Sequence, residues 1–163
     1  MSWHVTRRKL RAVRVLVIRR DLFEDVQKHV LGQYPVEACG FLAGRFDEDE
    51  ATAERCIVVK NVAASADRFV LDPKEIERVR QDLQCDEELI SFFHSHAKAP
   101  EPSGLDKINM RFLPLVWLIV GGVEDGIVDE RGCLAFKTDR KDTLGVELRI
   151  VDGVSPPHPN LPS

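Results

Sequence analysis

Long apolar runs are missing from this chain of 163 residues. The longest, Leu115 to Val120, is far too short to cross a bilayer. No secretory h-region or small-residue cleavage site appears among these residues, and the basic N-terminal segment alternates apolar and basic residues from Val13 to Ile18, which favours a strand over a transit peptide. The net charge of −4 and a pI near 5.7 give no footprint for nucleic acid. We therefore expect a cytoplasmic protein that binds neither membranes nor nucleic acids.

Cysteine pairs of the C-x-x-C type are also absent. The four cysteines, Cys39, Cys56, Cys85 and Cys133, are scattered singly along the chain. A structural zinc site made of cysteines is therefore not expected, and neither are disulfides in a cytoplasmic chain of this size. Cys39 is interpreted as a small packed residue rather than a nucleophile.

Hydrophobic residues make up 44% and charged residues 31% of the chain, which is typical of one globular domain with one sizeable core. We predict a single domain over residues 1–153. The remaining residues, 154–163, are rich in proline and are predicted to be a disordered tail.

Hydrophobic periodicity divides the domain into short strands and helices. The pattern predicts strands at 14–18, 35–44, 52–62, 69–71, 90–95, 115–120, 134–137 and 146–150, and helices at 21–34, 72–83 and 106–112. Asp21 and Asp72 are the predicted N-caps of the first two helices. The fold class that follows is α/β (α+β), with a mixed, mostly antiparallel sheet flanked by helices.

Two histidines at the end of the strand 90–95 carry the strongest chemical signal. Side chains alternate along a strand, so His94 and His96 point to the same side. Catalytic zinc commonly takes three protein ligands and leaves one position open. Asp106 is the best third ligand, because the loop Ala97 to Pro102 can fold back and present it. Zn²⁺, one ion per chain, is therefore the expected cofactor.

Each of these residues also has an ordinary structural explanation when taken singly. A lone His-x-His is common, and Ser103 with Asp106 has the spacing of a plain helix capping box. Glu37 lies in the apolar segment 35–44, where a salt bridge to arginine is the structural alternative. Taken together, the histidine pair, the Pro-rich loop and Ser103-x-x-Asp106 favour a metal site, and Glu37 is then best explained as catalytic.

The combined pattern resembles the JAMM signature of the MPN domain, also called the Mov34/MPN/PAD-1 family. It consists of Glu37 in E-A-C-G-F-L-A-G, then His94-Ser95-His96, then Ser103-x-x-Asp106. The resemblance covers roughly residues 14 to 150. One departure is that six residues, rather than the usual seven, separate His96 from Ser103. The MPN fold, also described as cytidine-deaminase-like, is what the resemblance implies.

The resemblance further implies a zinc metalloprotease. His94, His96 and Asp106 would bind the metal, Glu37 would act as general base, and Ser103 would stabilise the oxyanion. The bond hydrolysed would be a peptide or isopeptide bond, plausibly one after the C-terminal Gly-Gly of a ubiquitin-like or sulfur-carrier protein. The chain would then be a small prokaryotic-type, stand-alone isopeptidase.

Two other functions remain open at this point. The first is a non-catalytic MPN scaffold, which the shortened loop favours and which need not bind metal. The second is a zinc hydrolase for a small amide, or a deaminase. The deaminase is disfavoured, because H-x-E and P-C-x-x-C are both missing from the sequence.

Overall fold

The computed structural model describes residues 3–153, so the predicted tail 154–163 lies outside the described residues. The strands are β1 (Val15–Arg19), β2 (Cys39–Asp47), β3 (Glu50–Val59), β4 (Glu88–Ser95), β5 (Val116–Val120), β6 (Cys133–Asp139) and β7 (Asp142–Val151). The helices are α1 (His4–Ala12), α2 (Arg20–Gln33), α3 (Pro73–Gln81) and α4 (Gly104–Phe112), with 3-10 turns at Val123–Asp125 and Glu130–Gly132. Within residues 3–153 no helix is both long and apolar enough to cross a membrane. The boundary of the domain and its cytoplasmic location stay predictions.

The strands form one mixed sheet in the order β1-β3-β2-β4-β5-β6-β7, and β1 also pairs with β7 to close it into a barrel. Four neighbouring pairs are antiparallel: β2–β3, β2–β4, β5–β6 and β6–β7. The pairs β1–β3, β1–β7 and β4–β5 are parallel. The predicted mixed, mostly antiparallel sheet with flanking helices is confirmed, whereas its closure was not predicted.

Apolar clusters cover both faces of the central strands. On one side α2 packs through Phe23 and Val26 against a cluster that includes Phe93 and Leu118. On the other side Trp117 joins a cluster to which α3 and α4 contribute. β5 is buried along its whole length, as its continuous apolar run predicts. The two clusters pack against both faces of β4, which leads into the histidine pair at its carboxyl end.

Helix α1, His4–Ala12, was not among the helices predicted from the sequence. The sequence pattern does not indicate this helix, because Leu10 is its only buried residue and its first turn has no acidic residue. A lysine side chain from a distant strand donates hydrogen bonds to the C-terminal end of this helix. The Nζ of Lys137 on β6 donates to the carbonyl oxygens of Leu10 at 3.2 Å, Arg11 at 2.8 Å and Val13 at 2.5 Å. This ammonium group supplies a charged donor to carbonyls at the C-terminal end of the helix, of which that of Leu10 also accepts from the Val13 N–H at 3.1 Å.

Three local predictions also need correction. Residues 69–71 form no strand, because the side-chain oxygen of Asn61 accepts from the Val70 N–H where a partner strand would be needed. Asp21 is in the first turn of α2 instead of at its N-cap, which is Arg19. β2 begins at Cys39, so Glu37 precedes the strand on which it was predicted.

Candidate metal centre and the adjoining groove

The histidine pair stands at the carboxyl end of β4, as predicted. His96 follows the last strand residue, and its N–H donates to the carbonyl of Val120 at 2.8 Å, which extends the pairing with β5. The two Nε2 atoms are 3.0 Å apart. His94 is fully buried, and its ring contacts those of Phe69 and Trp117. The register of β4 therefore aims both imidazoles at one point.

Asp106 completes the set in spite of the shortened loop. Its Oδ2 lies 3.2 Å from His94 Nε2 and 3.1 Å from His96 Nε2. The capping box at the start of α4 fixes the carboxylate, because Oδ2 also accepts from the Ser103 N–H at 2.9 Å. The structure thus brings together the three residues that the sequence predicted as ligands.

Two glycines let the loop 97–102 lie against the end of β5. A Cβ at Gly121 would stand 2.7 Å from the carbonyl oxygen of Lys98 and 2.9 Å from the nitrogen of Pro100. Gly122 has a positive φ of 74° and donates its N–H to the same Lys98 carbonyl at 2.6 Å. The missing side chains therefore allow the short path that carries the chain from His96 to Asp106.

The donor set suits a zinc ion. The His96 Nδ1 lies 2.9 Å from the Ala99 carbonyl, which can only accept, so Nδ1 carries hydrogen and Nε2 of the neutral ring offers a lone pair. Ligands at ordinary zinc distances in a tetrahedron lie roughly 3.3 Å apart. The separations among the atoms of His94, His96 and Asp106, between 3.0 and 3.2 Å, are close to that value.

Electrostatics agree with a cation site. Burial lowers the pKa of His94, which favours the neutral imidazole that a metal requires. Burial opposes ionisation of Asp106, but hydrogen bonds from His94 and His96 outweigh it and hold the pKa of the carboxyl well below its usual range. Burial also lowers the pKa of His96, but the hydrogen bond with Asp106 outweighs it and leaves that pKa raised, so a proton and a metal ion compete for this nitrogen.

Glu37 lies beside the triad. Its Oε1 is 3.7 Å from His96 Nε2, and its ligand atom and those of the two histidines lie within 4.8 Å of one another. Its Oε2 is buried without a hydrogen-bond partner. Burial raises the pKa of Glu37 to about 7. The salt bridge to arginine that was its structural alternative is not among the ion pairs of residues 3–153.

Ser103 is exposed at the N-cap of α4, where its hydroxyl accepts from the Asp106 N–H at 3.0 Å. The hydroxyl proton is not used in that bond and can be donated elsewhere. The capping interpretation is thus correct for Ser103, and it leaves the hydroxyl able to act as a donor as well.

Two polar residues that the sequence did not single out hold the segment of Glu37. The hydroxyl of Ser95, between the two histidines, accepts from the Ala38 N–H at 2.8 Å. The amide of Asn61 donates to the Glu37 carbonyl at 3.0 Å. Both side chains are buried, and a polar residue inside an apolar strand, as Ser95 is, was the available signal for such a partner.

Cys39 does not take part in this chemistry as a nucleophile. It is fully buried, and burial raises the pKa of its thiol to about 12. Its Sγ lies 3.7 Å from the Val59 carbonyl. The prediction of a small packed residue agrees with this position.

A largely apolar groove of about 650 Å³ adjoins the metal centre. We call it the α3–α4 groove; it is lined by Trp3, by residues 68–71 and by side chains of α3 and α4, with Trp117 at its base. None of the proposed site residues lines it. Its connection with the site runs through Phe69 and Trp117, whose rings contact that of His94, and through Leu105, which precedes Asp106.

Comparison with known proteins finds one matching family and several relatives whose names describe peptidases or proteases. Residues 19–134 match the family described as prokaryotic homologs of the JAB domain. The chain is 33% identical to a desampylase of Pyrococcus furiosus over 64% of this chain and 73% of the relative. It is 38% identical to a CysO-cysteine peptidase of Mycobacterium tuberculosis, over 58% of this chain and 64% of the relative. It is 31% identical to a probable TtuB-protein conjugate cleaving protease of Thermus thermophilus, over 71% of this chain and 78% of the relative.

Solved structures agree on the fold. A protein of Desulfitobacterium hafniense, solved in solution, superposes with a TM-score of 0.74 at 27% identity, covering 86% of this chain and 95% of that one. A JAB1/MPN domain protein of Archaeoglobus fulgidus gives a TM-score of 0.51 at 18% identity over 81% and 97%. The family match covers most of the chain, and the solved neighbours share its fold. The chain therefore belongs to the prokaryotic homologs of the JAB domain, within the JAMM/MPN family.

Proposed function

We propose that the protein is a zinc-dependent metallopeptidase or isopeptidase. Its substrate would be a peptide or isopeptide bond after the C-terminal Gly-Gly of a ubiquitin-like or sulfur-carrier protein. The observation that carries the proposal is the convergence of His94, His96 and Asp106 on one point, with the carboxylate of Glu37 beside it. The names of three relatives support the substrate class: a desampylase, a CysO-cysteine peptidase and a probable TtuB-protein conjugate cleaving protease.

The residues divide the chemistry among them. His94, His96 and Asp106 would hold Zn²⁺, which when bound lowers the pKa of a water molecule and polarises the scissile carbonyl. Glu37 would take the proton of the attacking water and deliver it to the leaving amine. Its pKa of about 7 suits both steps, because a general base works best near the ambient pH. The Ser103 hydroxyl would donate to the oxyanion.

The α3–α4 groove is the proposed binding site for the part of the carrier tail that precedes the two glycines. Its exposed apolar side chains on α4, Leu105 and Phe112, offer contacts for apolar residues of an extended segment. A Gly-Gly end fits the final approach, because glycine lets a backbone pass close to a buried centre.

The test is cleavage of a panel of ubiquitin-like and sulfur-carrier proteins, each extended by a short peptide after Gly-Gly. We expect the zinc-loaded protein to release the peptide after the second glycine. Glu37→Gln should lower kcat about 10²–10⁴-fold, and Ser103→Ala about 10²–10³-fold, with zinc content unchanged in both. Glu24→Gln, at an exposed carboxylate of α2, is the matched control. Zinc binding without cleavage of any member of the panel would reject the proposed substrate class.

A further inference from the structure

The side chain of Asn61 uses its full hydrogen-bonding capacity to join two segments of the chain. Its Nδ2 donates to the carbonyls of Glu37 and Arg68, both at 3.0 Å. Its Oδ1 accepts from the N–H groups of Ala63 at 3.1 Å and Val70 at 3.0 Å. A primary amide has two donor hydrogens and two acceptor lone pairs, so all four are in use. Only 7% of the residue is exposed.

This arrangement matters because Glu37 lacks the support of a strand. β2 begins two residues later, at Cys39. The peptide groups of Glu37 are bound instead by the loop after β3: its N–H donates to the Ser65 carbonyl at 2.7 Å, and its carbonyl accepts from Asn61. The backbone of Glu37 itself is therefore bound by a loop that has no regular secondary structure, whereas the next residue, Ala38, is bound by Ser95. Asn61 is the side chain that closes this loop.

The same loop forms a wall of the α3–α4 groove through Arg68 and Val70. Asn61 binds the backbone of both residues, so one amide fixes the distance between the groove wall and the segment of Glu37. No other side chain type of this size offers the same pattern. Aspartate would place a second acceptor opposite two carbonyls, and serine is too short to reach both segments.

We propose that Asn61 is a positioning residue of the reaction, which holds Glu37 within reach of the metal centre by tying its backbone to the groove wall. The inference rests on the proposed function for the role of Glu37. Asn61 touches neither substrate nor metal in this scheme, and acts only through the place that it gives to the carboxylate.

A double-mutant cycle between Asn61→Asp and Glu37→Gln tests this role with a carrier–peptide fusion as substrate. In the wild-type background Asn61→Asp should lower kcat about 10–100-fold, because misplacement of a reacting group by about 1 Å has an effect of this size. The fall in kcat should exceed any rise in KM, and zinc content should stay at one per chain. In the Glu37→Gln background the same change should alter the residual rate less than about 3-fold, since the base is already lost.

Asp129→Ala provides the matched control. The Asp129 carboxylate accepts from the N–H groups of Arg131 and Gly132, so it closes another loop in the same way, but that loop carries none of the proposed site residues. We expect near-wild-type kcat for this variant. Equal losses from Asn61→Asp in both backgrounds, or loss of zinc, would show a general structural role and overturn the inference.

Crystal structures separate this inference from the proposed function. If the wild-type protein cleaves no carrier, the proposed function is wrong. The position of the Glu37 carboxylate in crystals of the wild-type and Asn61→Asp proteins then still tests whether Asn61 positions it. We expect the Glu37 carboxylate to move about 1 Å or more away from His96 in Asn61→Asp; an unchanged position would refute the inference. Should that variant not fold, Asn61→Ser takes its place in both measurements.

Discussion

The Nδ1 of His96 lies 2.9 Å from the carbonyl oxygen of Ala99, three residues further along the chain. The loop after the histidine pair thereby sets the tautomer of its own metal ligand and turns Nε2 towards Asp106. The ability to bind a metal therefore depends on the shape of this short loop. Any change that moves the Ala99 carbonyl should weaken metal binding even though every ligand is retained.

Elemental analysis should find about one zinc ion per chain in the wild-type protein. The double variant His94→Ala, His96→Ala should contain none, because Asp106 alone is left of the three converging donors. His29→Ala, which removes a histidine outside the triad, is the control and should keep its zinc. A wild-type protein that binds no zinc, even after zinc is added back, would favour the non-catalytic scaffold.

Gly121→Ala should destabilise the loop 97–102. The new methyl group would lie 2.7 Å from the Lys98 carbonyl oxygen, so the loop must shift and carry Ala99 with it. We expect a loss of about 1–3 kcal/mol in the free energy of unfolding and a fall of about 10–100-fold in zinc affinity, measured by urea denaturation and by competition with a chelator. Gly32→Ala in α2 is the control, because a Cβ there meets nothing within 4 Å. Unchanged zinc affinity in Gly121→Ala would contradict the coupling between loop and metal.

Lys137→Met should loosen helix α1 without affecting the metal centre. The substitution keeps an apolar stem of similar length but removes the three hydrogen bonds to Leu10, Arg11 and Val13. The free energy of unfolding should fall by about 1–3 kcal/mol, since three carbonyls at the end of the helix lose a charged donor. Hydrogen exchange should show faster exchange in α1, with unchanged zinc content. Lys141→Met, at an exposed position, is the control; equal effects of the two substitutions would disprove the capping role.

Stability of the metal-free protein should depend on pH through Glu37. Burial raises its folded-state pKa from 4.5 to about 7, so between these values the folded state binds more protons than the unfolded state. Stability from this group is therefore full below pH 4.5 and is lost as the pH rises through 7. With a chelator present, Glu37→Gln should be more stable than wild type at pH 8 by on the order of 2–3 kcal/mol, and the difference should shrink towards pH 4.5.

Urea midpoints of wild type and variant at pH 5 and pH 8 measure this difference. Glu101→Gln, at an exposed carboxylate, serves as the control and should show the same pH dependence as wild type. A gap between wild type and Glu37→Gln that is constant with pH would show that Glu37 is not buried as an ionisable group.

The convergence of His94, His96 and Asp106 could be expected from the sequence, because local rules at the end of a strand and the start of a helix set their placement. The period of two along β4 put His94 and His96 on one side, and Ser103-x-x-Asp106 is a helix start by local rules alone. The three predicted ligands could therefore be brought together on spacing alone, even with one residue missing from the intervening loop.

Features that depend on distant partners were not predictable. Helix α1 relies on Lys137, more than 120 residues away in the chain, and no pattern in its own residues records that contact. Glu37 was predicted on a strand because its neighbours are apolar, but the amide of Asn61 replaces a strand partner at this point. The pairing of β1 with both β3 and β7, which closes the sheet, is likewise a property of the whole fold.

The antiparallel hairpin of β2 and β3 extends from the metal centre to a tip on the opposite side of the sheet's length. β2 runs nine residues from Cys39, which pairs with His94, to the acidic tip at Asp47 and Glu48. At about 3.3 Å per residue the tip is roughly 25 Å from the metal centre. A peptide tag inserted after Glu48, at a turn that already has a positive φ of 54°, would allow the protein to be anchored to a sensor surface with the metal centre at the far end.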